Sequence, residues 1–248
     1  MAFYVYGIVP ADVETDPEAR GVGDPAAPVT TVRGDGIAAL VSEIPDDQPL
    51  GRPADLAAHA ALVDGAAAEA PVLPLRFGAV VTTEDAVKDE LLAAHQDEFA
   101  AALQELEGKA EYVVKARYVE HALLREILDE NEQLAALRES LHGKSEDATR
   151  NERIALGEQI NNAIAAKREA DTRRMTDALA ALDVPITPRQ PTHEEDAVHL
   201  ACLAETANQT DLEAAVGKLA QEWEGRADVR LLGPLAAYDF VVTARPAE

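Results

Sequence analysis

Pro71-Val72-Leu73-Pro74-Leu75-Arg76-Phe77-Gly78-Ala79-Val80 is the stretch whose reading decides the fold. Prolines 71 and 74 fix φ and remove two backbone donors, which excludes a helix and makes a poor central strand. The apolar run still demands burial. It is therefore expected to be an extended segment at a sheet edge or bulge, with Gly78 letting backbone or partner approach closely. Arg76 stands in its middle. A guanidinium beside so much apolar surface needs a fixed acceptor to offset its desolvation. It reads either as a clamp holding its own domain together or as a ligand-binding arginine.

Upstream, Ala54 opens a helical pattern in which Leu56, Ala60, Val63 and Ala67 recur, with Pro53 at its first turn. His59 lies on this helix with no second His or Cys at ligand spacing, so it reads as a surface or half-buried residue rather than a metal ligand. Downstream, Thr83 is expected to cap a helix reaching about Glu107, with Val87, Leu91, Phe99, Leu103 and Leu106 in its apolar stripe and Gly108 as its stop. Before the first helix, Phe3–Val9 reads as a strand, and Val29–Arg33 and Ile37–Ile44 form a hairpin around Gly34-Asp35-Gly36. Gly21-Val22-Gly23 is a weak nucleotide-loop match, because Asp24-Pro25 follow where a phosphate-binding helix should open.

Composition bounds the function. With 248 residues, 47% of them hydrophobic, the chain can bury one large core or two ordinary ones. Aromatic residues are only 4%, so Ala, Leu, Val and Ile must fill those cores. A formal net charge of -24 repels nucleic acid and anionic membranes, which argues against a polyanion-binding role. Cys202 is the single cysteine, so no intrachain disulfide forms and the residue reads as a small buried apolar one. Met1–Val9 lacks the basic start and long apolar middle expected of a signal peptide, and no run approaches the roughly 18 apolar residues a membrane span requires. A soluble, cytoplasmic protein is expected.

Beyond Gly108, Glu111–Val119 alternates as a strand. Tyr112, Val114, Ala116 and Tyr118 face one way, and Lys115 and Arg117 lie on the other. Those two cations read as a solvated face, the sharper alternative being a strip aimed at an acidic partner or at the chain's own carboxylates. A long helical stretch then carries Leu123, Ile127, Leu134, Leu137 and Leu141. Thr149-Arg150-Asn151-Glu152 fits a capping box for a second helix through Leu182. No large apolar residue occurs between Ala165 and Arg174, so that portion is expected to project into water or to pair in an antiparallel helical hairpin tipped near Gly143. A proline-punctuated segment (Val184–Thr192), a strand (Ala197–Ala207), a helix with a Thr210–Glu213 capping box and a strand (Asp228–Leu232) follow. Gly233-Pro234 is expected to turn the chain into an extended tail, Tyr238–Val242. The prediction is an α+β chain of two domains, 1–108 and 109–248. The second has the order of a ferredoxin-like split βαβ unit, elaborated by a helical hairpin at about 120–183.

Several of these stretches together resemble the gas vesicle protein F/L family. They are Tyr4-Val5-Tyr6-Gly7-Ile8-Val9, Val72-Leu73-Pro74-Leu75-Arg76-Phe77-Gly78, Glu111-Tyr112-Val113-Val114-Lys115-Ala116, Asn151-Glu152-Arg153-Ile154-Ala155-Leu156-Gly157-Glu158, and Gly233-Pro234 with Tyr238-Asp239-Phe240-Val241. They occur in the family's order and span nearly the whole chain. Leu235-Ala236-Ala237 departs from the pattern, which often carries Trp and further Pro there. The resemblance implies an accessory protein of gas vesicle formation, with a modified ferredoxin-like second domain, no enzymatic activity and no cofactor. The implied partners are the small apolar shell protein (GvpA-type) and other accessory proteins.

The residues themselves present no reaction centre. The histidines at 59, 95, 121, 142, 193 and 199 are scattered, His193-Glu194-Glu195 does not continue into zinc-helix spacing, and no serine has nucleophile-elbow glycines. No catalytic, cofactor-binding or metal-binding residue is assigned. Partner contact is expected at Arg76 and Phe77, at Lys115 and Arg117, and at Arg153 and Glu158. The alternatives are a permanent minor component of the vesicle wall, or a ferredoxin-like small-anion-binding or catalytic domain using Arg76.

Overall fold

The computed structural model describes residues 1–119, 121–145 and 147–241. Its contacts divide the chain into two compact units. One is Met1–Tyr112 with Leu203–Asn208 and Gly233–Glu248; the other is Val113–Cys202 with Gln209–Leu232. Both mix helix and strand.

In the first unit, β1 (Ala2–Pro10), β2 (Thr30–Arg33), β3 (Ile37–Ile44) and the two-residue strands β4 (Leu73–Pro74) and β5 (Val80–Val81) form one sheet. The order is β2-β3-β1-β4, and β5 also pairs with β1. The β2–β3 hairpin forms as expected, pairing Thr30 with Val41 and Arg33 with Ala38 in antiparallel register. Alternation along the strands feeds two cores. Tyr4, Tyr6, Ala38 and Leu40 face a cluster shared with Val63 and Ala67 of α1 (Pro53–Glu69). Val5, Ile8, Ala39 and Val41 face a second cluster with Val87, Leu92, Phe99 and Leu103. Coverage on both faces is why β1 and β3 read as nearly continuous apolar runs.

α1 starts at Pro53 as the sequence suggests, and Val63 and Ala67 of the predicted stripe are buried, but Asp55 and His59 take the places predicted for Leu56 and Ala60. Leu56 is left 49% exposed. Two polar residues displace it because each finds a full set of partners inside.

Thr83 does cap the next helical stretch, its hydroxyl accepting from Ala86 N at 3.0 Å. The stretch is not one α-helix. A single turn, α2 (Glu84–Ala86), leads into a π-helical turn (Val87–Leu92) and a 3-10 turn (Ala93–His95) before α3 (Gln96–Glu105). A π turn adds one residue to the repeat. Leu92 therefore takes the core position predicted for Leu91, and the stripe resumes at Phe99, Leu103 and Leu106.

A second sheet has the order β7-β8-β6-β9, built from β6 (Lys109–Tyr118), β7 (Ile186–Pro188), β8 (Asp196–Glu205) and β9 (Ala227–Leu235). The predicted turn at Gly233-Pro234 is instead part of β9. The tail after it folds in turns, with Tyr238 N donating to Ala236 O and Phe240 N to Ala237 O. Val242, predicted to end that tail, lies outside the described residues, as does Glu120 at the start of the predicted helical hairpin.

Among the described residues, the hairpin region contains three α-helices, α4 (Ala122–Glu130), α5 (Glu132–Leu141) and α6 (Arg150–Ala180), with a 3-10 turn (Asp147–Thr149) before the last. The break between the first two is made by Asn131, whose side chain accepts from Leu134 N at 3.1 Å and caps α5. The expected Thr149 capping box is absent. The Thr149 hydroxyl instead donates to Ser145 O and accepts from Arg153 Nε. The last helix, α7 (Gln209–Glu222), begins before Thr210, so the second predicted capping box lies within its first turn.

α6 decides between two expectations. Of the two alternatives for its apolar-poor middle, pairing with the preceding helix is the one observed: Lys167 bonds Glu126 and Glu130 of α4, Asp171 is buried, and Met175 and Leu179 follow it into the core. The portion bearing Ile154, Leu156, Ile160 and Ile164 is the half-exposed one, and Ile154 is 52% exposed. The reason is charge pairing. Arg226 donates from Nε and Nη2 to Glu126 at 2.6 and 3.2 Å and to Asp171 at 2.8 Å. Tyr118 OH donates to Asp171 at 2.6 Å, and Lys167 bridges Glu126 and Glu130. The Arg226 guanidinium also sits 5.5 Å from the Tyr118 ring centroid and 5.8 Å from that of Trp223. Among the described residues, a charged network in which no fully buried oxygen is left without a partner stands where apolar side chains were expected.

Candidate functional site

The Pro71–Val80 stretch lies along the edge of the first sheet. Leu73 pairs with Ile8 and Pro74 with Gly7, then Leu75 N donates to Tyr6 O at 2.9 Å. Val80 and Val81 rejoin β1 opposite Tyr4 and Phe3. Between the two pairings the chain turns, Ala79 N donating to Arg76 O at 3.3 Å. Gly7 makes the close approach possible, since a Cβ there would lie 2.9 Å from Leu73 O. Gly78 serves differently from the expectation: a Cβ would meet nothing within 4 Å, and what requires glycine is its φ of +95°.

Arg76 and Phe77 diverge at this turn. Phe77 packs inward among Tyr4 and His59, with ring centroids 5.8 and 5.7 Å away. Arg76 points out, exposed, and among the described residues its side chain has no hydrogen-bond or ion-pair partner. It is not the internal clamp.

Beneath the turn, two hydrogen-bond relays run through the aromatic base. In one, Gly78 N donates to Tyr4 OH at 3.2 Å and Tyr4 OH reaches His59 Nδ1 at 2.9 Å. His59 Nε2 reaches Tyr238 OH at 2.9 Å, and Tyr238 OH donates to Leu75 O at 3.4 Å. The directions close only if His59 is the neutral Nε2–H tautomer. In the other, Val22 N donates to Tyr6 OH, Tyr6 OH to Ser42 Oγ, and Ser42 Oγ to Pro28 O at 2.8 Å. Gly21 lies against Tyr6, where any Cβ would overlap the hydroxyl, so the Gly21-Val22-Gly23 loop packs internally.

Burial pushes the Tyr4 hydroxyl up to about 12 and raises Tyr6 and Tyr238 as well. Burial also lowers His59, keeping it neutral. Asp55 is held well below the usual carboxylate range by Arg52, then by the Gly23 amide. Its oxygens also accept from the Gly51 and Arg52 amides, which fixes the start of α1.

Lys115 and Arg117 do share a face of β6, but the face is directed at the chain's own Asp196 rather than simply solvated. Lys115 Nζ lies 3.7 Å from Asp196 Oδ2 and donates to Thr192 Oγ1 at 2.7 Å; Arg117 Nε lies 3.5 Å from Oδ1. Burial pushes Asp196 up, but donation from the Thr192 hydroxyl and the Thr192 and His193 amides outweighs it and brings the carboxyl down to about 2. Arg117 keeps about half of its side chain in solvent (48%).

Arg153 donates to Leu141 O at 3.5 Å and Lys144 O at 3.3 Å, closing the α5–α6 turn, while Glu158 is exposed on α6. The predicted contact residues thus form separate local features: an exposed turn, a strand pair braced by a carboxylate, and a helix-turn brace. Sequence reasoning missed His59, Tyr4 and Tyr238 as one unit. The available signal was the spacing of Tyr4 and Tyr6 on one strand face. Among the described residues, no three His, Cys, Asp or Glu side chains converge as metal ligands, and no helix is long and apolar enough to cross a membrane.

The family model for gas vesicle synthesis protein GvpL/GvpF matches residues 2–242. The chain belongs to this family. Gas vesicle protein F of Streptomyces sp. (strain CB03234) is 33% identical, with 97% of this chain and all (100%) of that protein covered. Its counterpart from Nostoc sp. (strain PCC 7120) is 25% identical, with 96% of each covered. The fold is that of crystallised family members. GvpF from Anabaena sp. PCC7120 superposes with a TM-score of 0.80 at 24% identity, covering 98% of this chain and 99% of that one. GvpF from Microcystis aeruginosa gives 0.75 at 20% identity, covering 96% and 98%. Family membership gives the chain an accessory role in gas vesicles.

Proposed function

We propose that the chain is a non-enzymatic, cytoplasmic accessory protein that binds the small apolar shell protein (GvpA-type), together with other accessory proteins, during vesicle nucleation and assembly. One observation carries most weight in this reading: among the described residues the Arg76 side chain has no partner, yet it is displayed on a turn anchored by Phe77, Tyr4 and His59. An unpaired guanidinium on a rigid base keeps its full donor fork for a partner's carboxylate or carbonyls, at little ordering cost.

Lys115 and Arg117 offer a second contact, and Arg153 with Glu158 on α6 a third. Exposed apolar side chains add adhesive surface: Leu56 and Val80 in the first unit, Ile154 and Leu232 in the second. The net charge of -24 keeps a complex with an apolar subunit dispersed. The β7-β8-β6-β9 order supports reading 109–248 as a ferredoxin-like domain with an inserted helical hairpin, beside a first domain of 1–108.

Co-expression with the shell protein tests the proposal. The expected result is co-purification and a larger soluble fraction of the shell protein, both reduced by Arg76→Glu. Shell protein that stays insoluble and fails to co-purify with the wild-type chain overturns it.

A further inference from the structure

The bonds that fasten the tail after β9 to the rest of the first unit include three to titratable side chains, those of Asp64, Glu111 and His59. Ala236 N donates to Asp64 Oδ1 at 2.9 Å, and Asp239 N to Glu111 Oε2 at 2.9 Å. The Tyr238 hydroxyl accepts from His59 Nε2 at 2.9 Å and donates to Leu75 O at 3.4 Å. His59 is 4% exposed and sits between Tyr4 and Tyr238 with Phe77 across its ring.

We propose that His59 is a pH-sensitive latch, holding residues 236–241 in place while its imidazole is neutral and releasing them when it is protonated.

The relay explains why. With Nδ1 bare, Tyr4 OH donates to it and accepts from Gly78 N, so every hydrogen has an acceptor. A proton on Nδ1 turns that acceptor into a donor, and the Tyr4 hydroxyl hydrogen loses its place. A full charge is then enclosed by the rings of Tyr4, Tyr6 and Phe77. The charged groups facing this site are few. On α1, Asp64 attracts the imidazolium, and Asp55, which reaches Tyr4 and Tyr6, is already paired with Arg52. From β1 come only the hydroxyls of Tyr4 and Tyr6. The Pro71–Val80 segment contributes Arg76, which points away, and the tail contributes Tyr238, itself faced by Glu111 and Asp64. Asp64 is engaged by the tail amide of Ala236. Of the rings around His59, Tyr4 and Tyr6 are locked in a central strand, whereas Tyr238 is half-buried on a segment of turns. Lifting Tyr238 is the least costly way to admit water to the cation.

Linkage sets the size of the effect. If the closed-state imidazole stays neutral and the open one titrates at its ordinary 6.5, lowering pH from 7.5 to 5.5 multiplies the opening constant about tenfold. Hydrogen exchange at Ala236 and Asp239, corrected for intrinsic rates, reads this directly on the intact chain. The expected result is about a tenfold loss of protection at pH 5.5, with none in β3. His59→Gln, which keeps an acceptor and a donor but does not titrate, should lose the pH response. Tyr238→Phe, with the imidazole intact, should lower tail protection at both pH values. If His59→Gln does not fold, NMR of His59 in the wild type replaces it, expecting an unprotonated Nδ1 at pH 7.5 and a native pKa below 6.5. Equal wild-type protection at both pH values, an unchanged response in His59→Gln, or full protection in Tyr238→Phe overturns the latch. These readouts do not involve a partner, so they stand or fall apart from the proposed function.

Discussion

Replacing Arg226 by Met keeps a stem against Trp223 while removing the guanidinium that three elements share. Its loss deletes two bonds to Glu126 and one to Asp171. Breaking a buried ion pair from one side costs about 3–5 kcal/mol, because the other charge stays behind. Here the cost is smaller. Arg226 and Glu126 keep 22% and 25% of their side chains in solvent, and each stranded carboxylate retains a partner: Lys167 for Glu126 and Tyr118 OH for Asp171. About 2–3 kcal/mol is the expected loss. At about 2–4 °C per kcal/mol for a chain of this size, Tm falls by roughly 4–12 °C. Thermal unfolding followed by circular dichroism measures it. Asp171→Asn in the same background should then cost less than it does alone, because the two side chains are coupled. An Arg226→Met Tm within 1 °C of wild type, or strict additivity with Asp171→Asn, refutes the view that this network replaces an apolar core.

Three further outcomes follow from single sites. Gly7→Ala places a Cβ 2.9 Å from the Leu73 carbonyl, so β4 must shift; a loss of about 1–3 kcal/mol in urea unfolding is expected. Arg76→Ala removes a side chain with no partner among the described residues and should leave stability within about 0.5 kcal/mol, any larger change meaning that Arg76 does clamp the fold. Asp196, depressed from 3.8 to about 2, contributes stability that is complete above the unfolded value and is lost as pH falls toward the folded one. Asp196→Asn should therefore flatten the fall in Tm between pH 4 and 2, and an unchanged slope in the variant refutes the assignment.

Elements governed by backbone rules were legible in the sequence. Prolines 71 and 74 located the edge segment, the glycines around Asp35 the hairpin, and Thr83 a helix cap, because each acts through φ or through a bond a few residues away. What was not legible depended on partners distant in sequence. His59 and Asp55 belong to the core because Tyr238 lies 179 residues from one and the Gly23 amide 32 from the other. For the α6 middle the choice between a solvated span and a paired one stayed open, since its partners, Glu126 and Arg226, come from other elements. Leu91 and Leu92 exchanged places through a π turn that no apolar period announces. The edge segment bearing Arg76 was found from sequence, but neither the turn at Arg76–Ala79 nor the direction its guanidinium takes.

The central claim is an accessory role in building gas vesicles. Deleting the gene in its native host and counting vesicles by electron microscopy tests it most directly. The account predicts that vesicles vanish or become rare and small, and that the wild-type chain restores them while the Arg76→Glu variant restores few. Vesicles of normal number and size in the deletion strain contradict it.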